Sequence, residues 1–271
     1  MPAIDCADLS AQEATHFKLT AEPEAALLNN APSEFDVWNQ QWNPQAQKHE
    51  YYRNRVPGRE AINKKDIRGR FISENQNDYP EPTGGCGPTA LLNLYVWYKK
   101  SGLLTETTAH ADPRLYKQLK FQQIDQAIRE MQGPKQLRSD GTNSMEQVLA
   151  LDELVQVESK SRLRISAAFK RAPLQTKDFL ELNLNYRAGI LAVQVKDRNS
   201  PKLLNYHVVL VIRSDRTGKI TIANWGEFSL GRLVQRGQEQ WFIPDNPEQH
   251  ELRVLQLTSI IPFSPTNIPD A

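Results

Sequence analysis

Apolar and polar positions fall into two regimes along this chain. Between residues 88 and 100, Leu91, Leu94, Tyr95 and Tyr98 recur at the spacing of one buried helix face. Ser101-Gly102 supplies a stop, and Pro88 is tolerated because the first turn of a helix has amide hydrogens with no internal acceptor. Further helices are predicted over 121–131 and over 143–155, the latter with Met145, Val148, Leu149 and Leu151 or Leu154 as its stripe, and a shorter one over 176–185. The later part of the chain changes to period two or to short apolar runs, which predict strands at 162–169, 189–195, 206–212, 220–225, 240–243 and 253–261. Helices early and strands late favour an α+β domain with the helical part packed on an antiparallel sheet, over an alternating parallel arrangement.

Residues 1–70 read differently. They are polar, carry short helical stretches such as 23–28, and set Trp38, Trp42, Tyr51 and Tyr52 among charged and amide side chains. This segment reads as an extension that docks on a core, and 71–271 as the main domain. Lys64, Lys65, Arg68 and Arg70 make a basic cluster, but Glu60 and Asp66 interrupt it, and a solvated face is the simpler reading.

Composition narrows the function classes. Hydrophobic residues are 39%, charged residues 24% and the formal net charge is +1, so nucleic acid is not an implied partner. The start of the chain lacks a positive region followed by an apolar one, and the longest aliphatic run, Val208 to Ile212, is far short of a membrane span. The expectation is a soluble protein without membrane contact, cytoplasmic or secreted without a visible signal peptide. Two cysteines, Cys6 and Cys86, are too few for a disulfide scaffold. No group of Cys, His and carboxylates has zinc-ligand spacing, so neither metal nor other cofactor is expected.

The chemistry centres on Cys86. The preceding loop is punctuated by Pro80, Pro82, Gly84 and Gly85, so the thiol stands at a helix start. A free thiol has a pKa of roughly 8.5 and is mostly protonated at neutral pH. Unpaired amide hydrogens, the aligned peptide dipoles and a neighbouring imidazolium all favour the thiolate. The glycines around Cys86 suit close approach by a substrate backbone. The Cys86 amide can donate to the oxyanion of a tetrahedral intermediate, worth about 3 kcal/mol per donor. A second donor is needed, and Asn75, Gln76 and Asn77 are the upstream amides. Standing alone, Cys86 would read as a small packed residue, as most lone cysteines do.

A histidine and an asparagine alter that balance. The runs 206–212 and 220–225 flank Ser214-Asp215-Arg216-Thr217-Gly218, a loop that closes a hairpin with glycine in a left-handed position. That register sets His207 opposite residue 225, within about two positions, and so within reach of Asn224. Alternation puts His207, Val209 and Val211 on one face and Tyr206, Val208, Leu210 and Ile212 on the other. An asparagine carbonyl can accept one imidazole N–H and orient the ring without adding charge. Asp215 sits at the hairpin tip, away from His207. His16, His49, His110 and His250 lie in polar or loop-like segments and receive no role.

The string from Gln76 through Cys86-Gly87-Pro88-Thr89-Ala90 resembles the nucleophile region of papain-like cysteine peptidases related to the bacteriocin double-glycine leader peptidases. Gly141-Thr142 before a helix, Tyr206 to Val211 and Asn224-Trp225-Gly226 are similar too, and the resemblance spans roughly 75–226. It implies a papain-like fold with Cys86 as nucleophile, His207 as base, Asn224 as orienter, Gln76 as the oxyanion side chain and Trp225 shielding the His–Asn bond. These relatives more often carry Asp at the orienting position. The implied activity is hydrolysis of peptide bonds in a protein or peptide substrate through an acyl-enzyme. The same residues suit a glutamine deamidase or a transglutaminase-like acyl transferase, and a catalytically silent binding module is the third reading.

Overall fold

The run CGPTALLNLYVWYKK carries apolar residues on every side, and helix α1 (Cys86–Lys100) is buried from Gly87 to Lys99. The computed structural model describes residues 33–46, 48–61, 71–79, 85–104, 113–132, 142–183, 186–196 and 203–266. Cys6, His16, His110, the stretch 23–28 and the cluster from Lys64 to Arg70 lie outside them. Helix α2 (Pro113–Gln132) buries one stripe, Phe121, Ile124, Ile128 and Met131. Helix α3 (Ser144–Ser159) opens in a capping box, with Asn143 Oδ1 accepting from the amides of Met145 and Glu146 while a Glu146 carboxylate oxygen accepts from the Asn143 amide. Helix α4 (Thr176–Leu180) is shorter than expected and runs on as a 3₁₀ turn, Glu181–Asn183.

Among the described residues there are nine strands, in chain order β1 (Glu34–Asn43), β2 (Lys48–Glu60), β3 (Arg164–Arg171), β4 (Ala188–Lys196), β5 (Leu203–Ser214), β6 (Lys219–Asn224), β7 (Glu227–Arg236), β8 (Glu239–Pro244) and β9 (Leu252–Pro265). Every ladder is antiparallel, so the α+β class with an antiparallel sheet holds. The sheet closes on itself. Strands β4 to β8 pair in sequence, and β9 pairs with both β8 and β4 to complete a six-stranded ring. Alternation within single strands does not reveal whether two edges meet, which is why the closure is not visible in the sequence.

The ring separates two cores. Val209, Val211, Ile220, Ile222, Phe242 and Leu252 fill its interior with Phe179 of α4. Leu210, Ile190, Ala223 and Ile260 face outward and pack under α1, α2 and α3. The alternation expected along β5 is the one observed, with Val208 and Ile212 also on the helix side.

Two elements depart from the sequence reading. Strand β7 was not expected, because Gly231 interrupts its apolar positions; a Cβ there would lie 2.4 Å from the Ile243 carbonyl oxygen. The hairpin of β1 and β2 was not expected either, since Lys48 to Arg55 is charged and amide-rich without an apolar alternation. Its base docks firmly. Phe35 stacks on Phe263 at 4.4 Å, Trp38 Nε1 donates to the Ala167 carbonyl at 2.9 Å, and residues 58–60 extend the ladder of β9. Glu60 forms a buried ion pair with Arg187, and Trp42 and Tyr52 stay exposed toward the far end.

Candidate active site

Cys86 is the first residue of α1, and its cap, Gly85, contributes no side-chain hydrogen bond to the first turn. Backbone amides of Val208, Gly87 and Cys86 itself approach the sulfur. One face of the helix, Cys86, Thr89, Ala90 and Asn93, lines a cavity of about 10 Å³, room for one water. Gln76, His207 and Asn224 line the same cavity, so all four predicted site residues meet there. Of the other upstream amides, Asn75 Oδ1 accepts from the Asn77 amide, and Asn77 is exposed. The Gln76 side-chain oxygen is buried and has no hydrogen-bond partner among the described residues.

His207 projects from β5 at the rim of the ring and is 7% exposed. Its Nε2 lies 2.7 Å from Asn224 Oδ1. An amide oxygen can only accept, so Nε2 carries the proton and Nδ1 is left as the basic nitrogen of the neutral ring. The ladder of β5 with β6 runs from Ser214 opposite Ile220 to Leu210 opposite Ala223, with a register shift between Val211 and Arg213. It stops short of His207, and the side-chain bond to Asn224 spans the open end. Gly218 takes the expected left-handed conformation at φ 83°, and Asp215 caps the tip by accepting from Thr217 and Lys219.

The turn from β6 to β7 aims the indole of Trp225. Trp225 at φ 48° and Gly226 at φ 82° are the two central residues between the paired Asn224 and Glu227, the geometry of a tight two-residue hairpin. A bulky residue at positive φ costs on the order of 1 kcal/mol or more. In return the indole stacks on the His207 ring, with centroids 4.4 Å apart and planes 21° from parallel. His250 meets the same indole edge-on at 5.7 Å, so it is not the isolated loop histidine that its sequence context suggests.

Electrostatics differ from the sequence expectation of a thiolate–imidazolium pair. Burial pushes the Cys86 thiol up, against the lowering effect of the three amides. Burial also pushes His207 down to about 4, against the raising effect of the hydrogen bond its ring donates to Asn224. Desolvation thus disfavours the thiolate and the imidazolium alike, against the pull of the helix start. A stability consequence follows. The unfolded imidazole takes up its proton near pH 6.5, the folded one near 4, so the unfolded state binds more protons between them. Folding stability should fall by up to about 3 kcal/mol as pH drops from 6.5 to 4. Urea unfolding at several pH values should show this loss, and His207→Gln should remove that part of the slope.

Sequence reasoning missed the residues that fix the Gln76 loop. The Glu74 amide donates to Asn93 Oδ1 at 2.9 Å, which ties the loop to the helix of Cys86. The Glu74 carboxylate accepts from Lys117 of α2 and from Tyr79 Oη, and Ser73 Oγ donates to the Glu227 carbonyl at 2.9 Å. The signal was available: Asn93 is a polar residue in the apolar interior of α1, on the same face as Cys86. Gly87 has a packing role rather than a substrate-facing one. A Cβ on it would lie 2.0 Å from Thr142 Oγ1, which itself accepts from Gln147 Nε2 at 2.8 Å. Gly87→Ala should therefore cost about 1–3 kcal/mol through overpacking, read as a lowered thermal midpoint.

Among the described residues no group of three or more His, Cys, Asp and Glu is placed to hold a metal ion, and no helix is long and apolar enough to cross a membrane. No protein-family model matches the chain, and no curated protein matches it.

Proposed function

We propose that this chain is a cysteine hydrolase of papain-like fold that cleaves peptide bonds through Cys86, His207 and Asn224. The observation that carries the reading is the 2.7 Å bond from His207 Nε2 to Asn224 Oδ1, beneath Trp225 and in one cavity with a cysteine at a helix start. Such a set fits nucleophilic catalysis, because the asparagine leaves Nδ1 as the proton acceptor. The thiol proton passes to His207 Nδ1 as sulfur attacks the substrate carbonyl carbon. Because burial disfavours both charged forms, this transfer accompanies attack instead of preceding it. The oxyanion receives hydrogen bonds from the Cys86 amide and the Gln76 side-chain amide, whose unpartnered atom in the cavity fits that duty once the amide is turned. His207 gives its proton to the departing amine as the C–N bond breaks and a thioester remains. Water, deprotonated by His207, then releases the acid and restores the thiol.

The same chemistry applied to a glutamine side chain would give a deamidase or acyl transferase. Incubation of the pure protein with cell lysate separates the readings. New substrate N-termini that require Cys86 are the expected result. Intact chains with an amide-to-acid mass change or a new amine link identify the alternative, and an unchanged lysate identifies the silent module.

A further inference from the structure

A second pocket, of about 270 Å³, lies on the other side of the catalytic pair and shares only Asn224 and Trp225 with the first. It is the mouth of the six-stranded ring. Ile222 pairs with Ser229 and Asn224 with Glu227, and paired residues of an antiparallel ladder point to the same face. Ile222 belongs to the ring interior, so these four side chains point into the mouth. The segment between β8 and β9 completes the lining with Asn246, Glu248, Gln249 and His250.

We propose that this mouth binds a basic side chain of the substrate, on the leaving-group side of the scissile bond; the placement rests on the function proposed above. Three observations select the ligand. Ile222, Leu252 and the indole of Trp225 offer an apolar wall for an aliphatic stem. Glu227, which accepts from Gln249 Nε2, and Glu248 bring two carboxylates to the exposed rim. Ser229 is 5% exposed, lines the pocket, and its hydroxyl has no hydrogen-bond partner among the described residues, so a donor entering the mouth finds an acceptor below the rim. A cation over the free part of the indole gains further attraction. The leaving-group side follows from the base: His207 protonates the departing amine, and its ring is stacked on the indole that walls this pocket.

The test reads binding separately from turnover. N-acetyl-arginine amide, at millimolar concentration, is titrated into the Cys86→Ala protein labelled with ¹⁵N at tryptophan, with Trp225 assigned from the Trp225→Phe spectrum. A saturable shift of the Trp225 indole signal is expected, weakened at least about tenfold in the Glu227→Gln, Glu248→Gln double variant and absent for N-acetyl-norleucine amide. Both glutamates are exposed, and circular dichroism of the double variant checks its fold. Equal binding of the norleucine compound, or unchanged binding in the double variant, overturns the proposal. Cleavage sites mapped in lysate supply the second arm: Lys or Arg should be enriched after the scissile bond, and the enrichment lost in the double variant. Arginine binding without any Cys86-dependent cleavage would leave the pocket standing and refute the hydrolase. Cleavage without basic enrichment would do the reverse.

Discussion

A Cys86→Ala protein should lose about 10⁴-fold or more of its lysate-cleaving activity while keeping its fold. Only the sulfur is removed, and its contacts are backbone amides that a water can occupy, so the thermal midpoint should stay close to that of the parent. His207→Ala should cost about as much, and the two together little more than either, because nucleophile and base would act as one unit. The measurement is the appearance of new N-termini with time, beside thermal unfolding of each variant. Full turnover by pure Cys86→Ala protein refutes the hydrolase reading.

The second large effect concerns Asn224. Asn224→Ala leaves Nε2 of a buried imidazole without its acceptor, a loss of about 1–3 kcal/mol, which corresponds to roughly 5–150-fold in rate if the bond orients the ring in the transition state. Asn224→Asp makes the sharper comparison. A carboxylate in place of the amide favours the charged imidazole, raising His207 from about 4 toward its ordinary value and with it the fraction of thiolate. Iodoacetamide should then label Cys86 faster in mildly acidic buffer in the Asp protein than in the parent. Equal labelling of the two would mean that residue 224 does not control the state of the pair.

Much of the site was legible because its parts announce themselves locally. Gly-Cys-Gly-Pro marks a helix start, and the alternation of β5 together with a glycine-bearing loop places His207 near Asn224 within one hairpin. The helices α1 and α3 are legible for the same reason, through apolar positions at helical spacing. What stayed hidden depends on partners remote in sequence. The charge states of Cys86 and His207 follow from how deeply the ring and three helices bury them, which no local pattern encodes. The clamp of Glu74 on Asn93 and Lys117 joins a loop and two helices, and β2 is held by its ladder with β1 and by Arg187, while its own residues look like solvent-facing coil.

Strand β9 pairs with β2, β3, β4 and β8, and it is the last strand of the described chain. During synthesis the helix of Cys86 therefore emerges more than a hundred residues before the strand that closes the ring carrying His207. Contacts so distant in sequence form late, since loop-closure entropy opposes them. The nascent chain thus carries Cys86 and the hairpin of His207 and Asn224 well before the strand that closes the ring around them. On the hydrolase reading, chains truncated before β9 should release no new N-termini in lysate, a built-in delay between making the thiol and completing the fold around it.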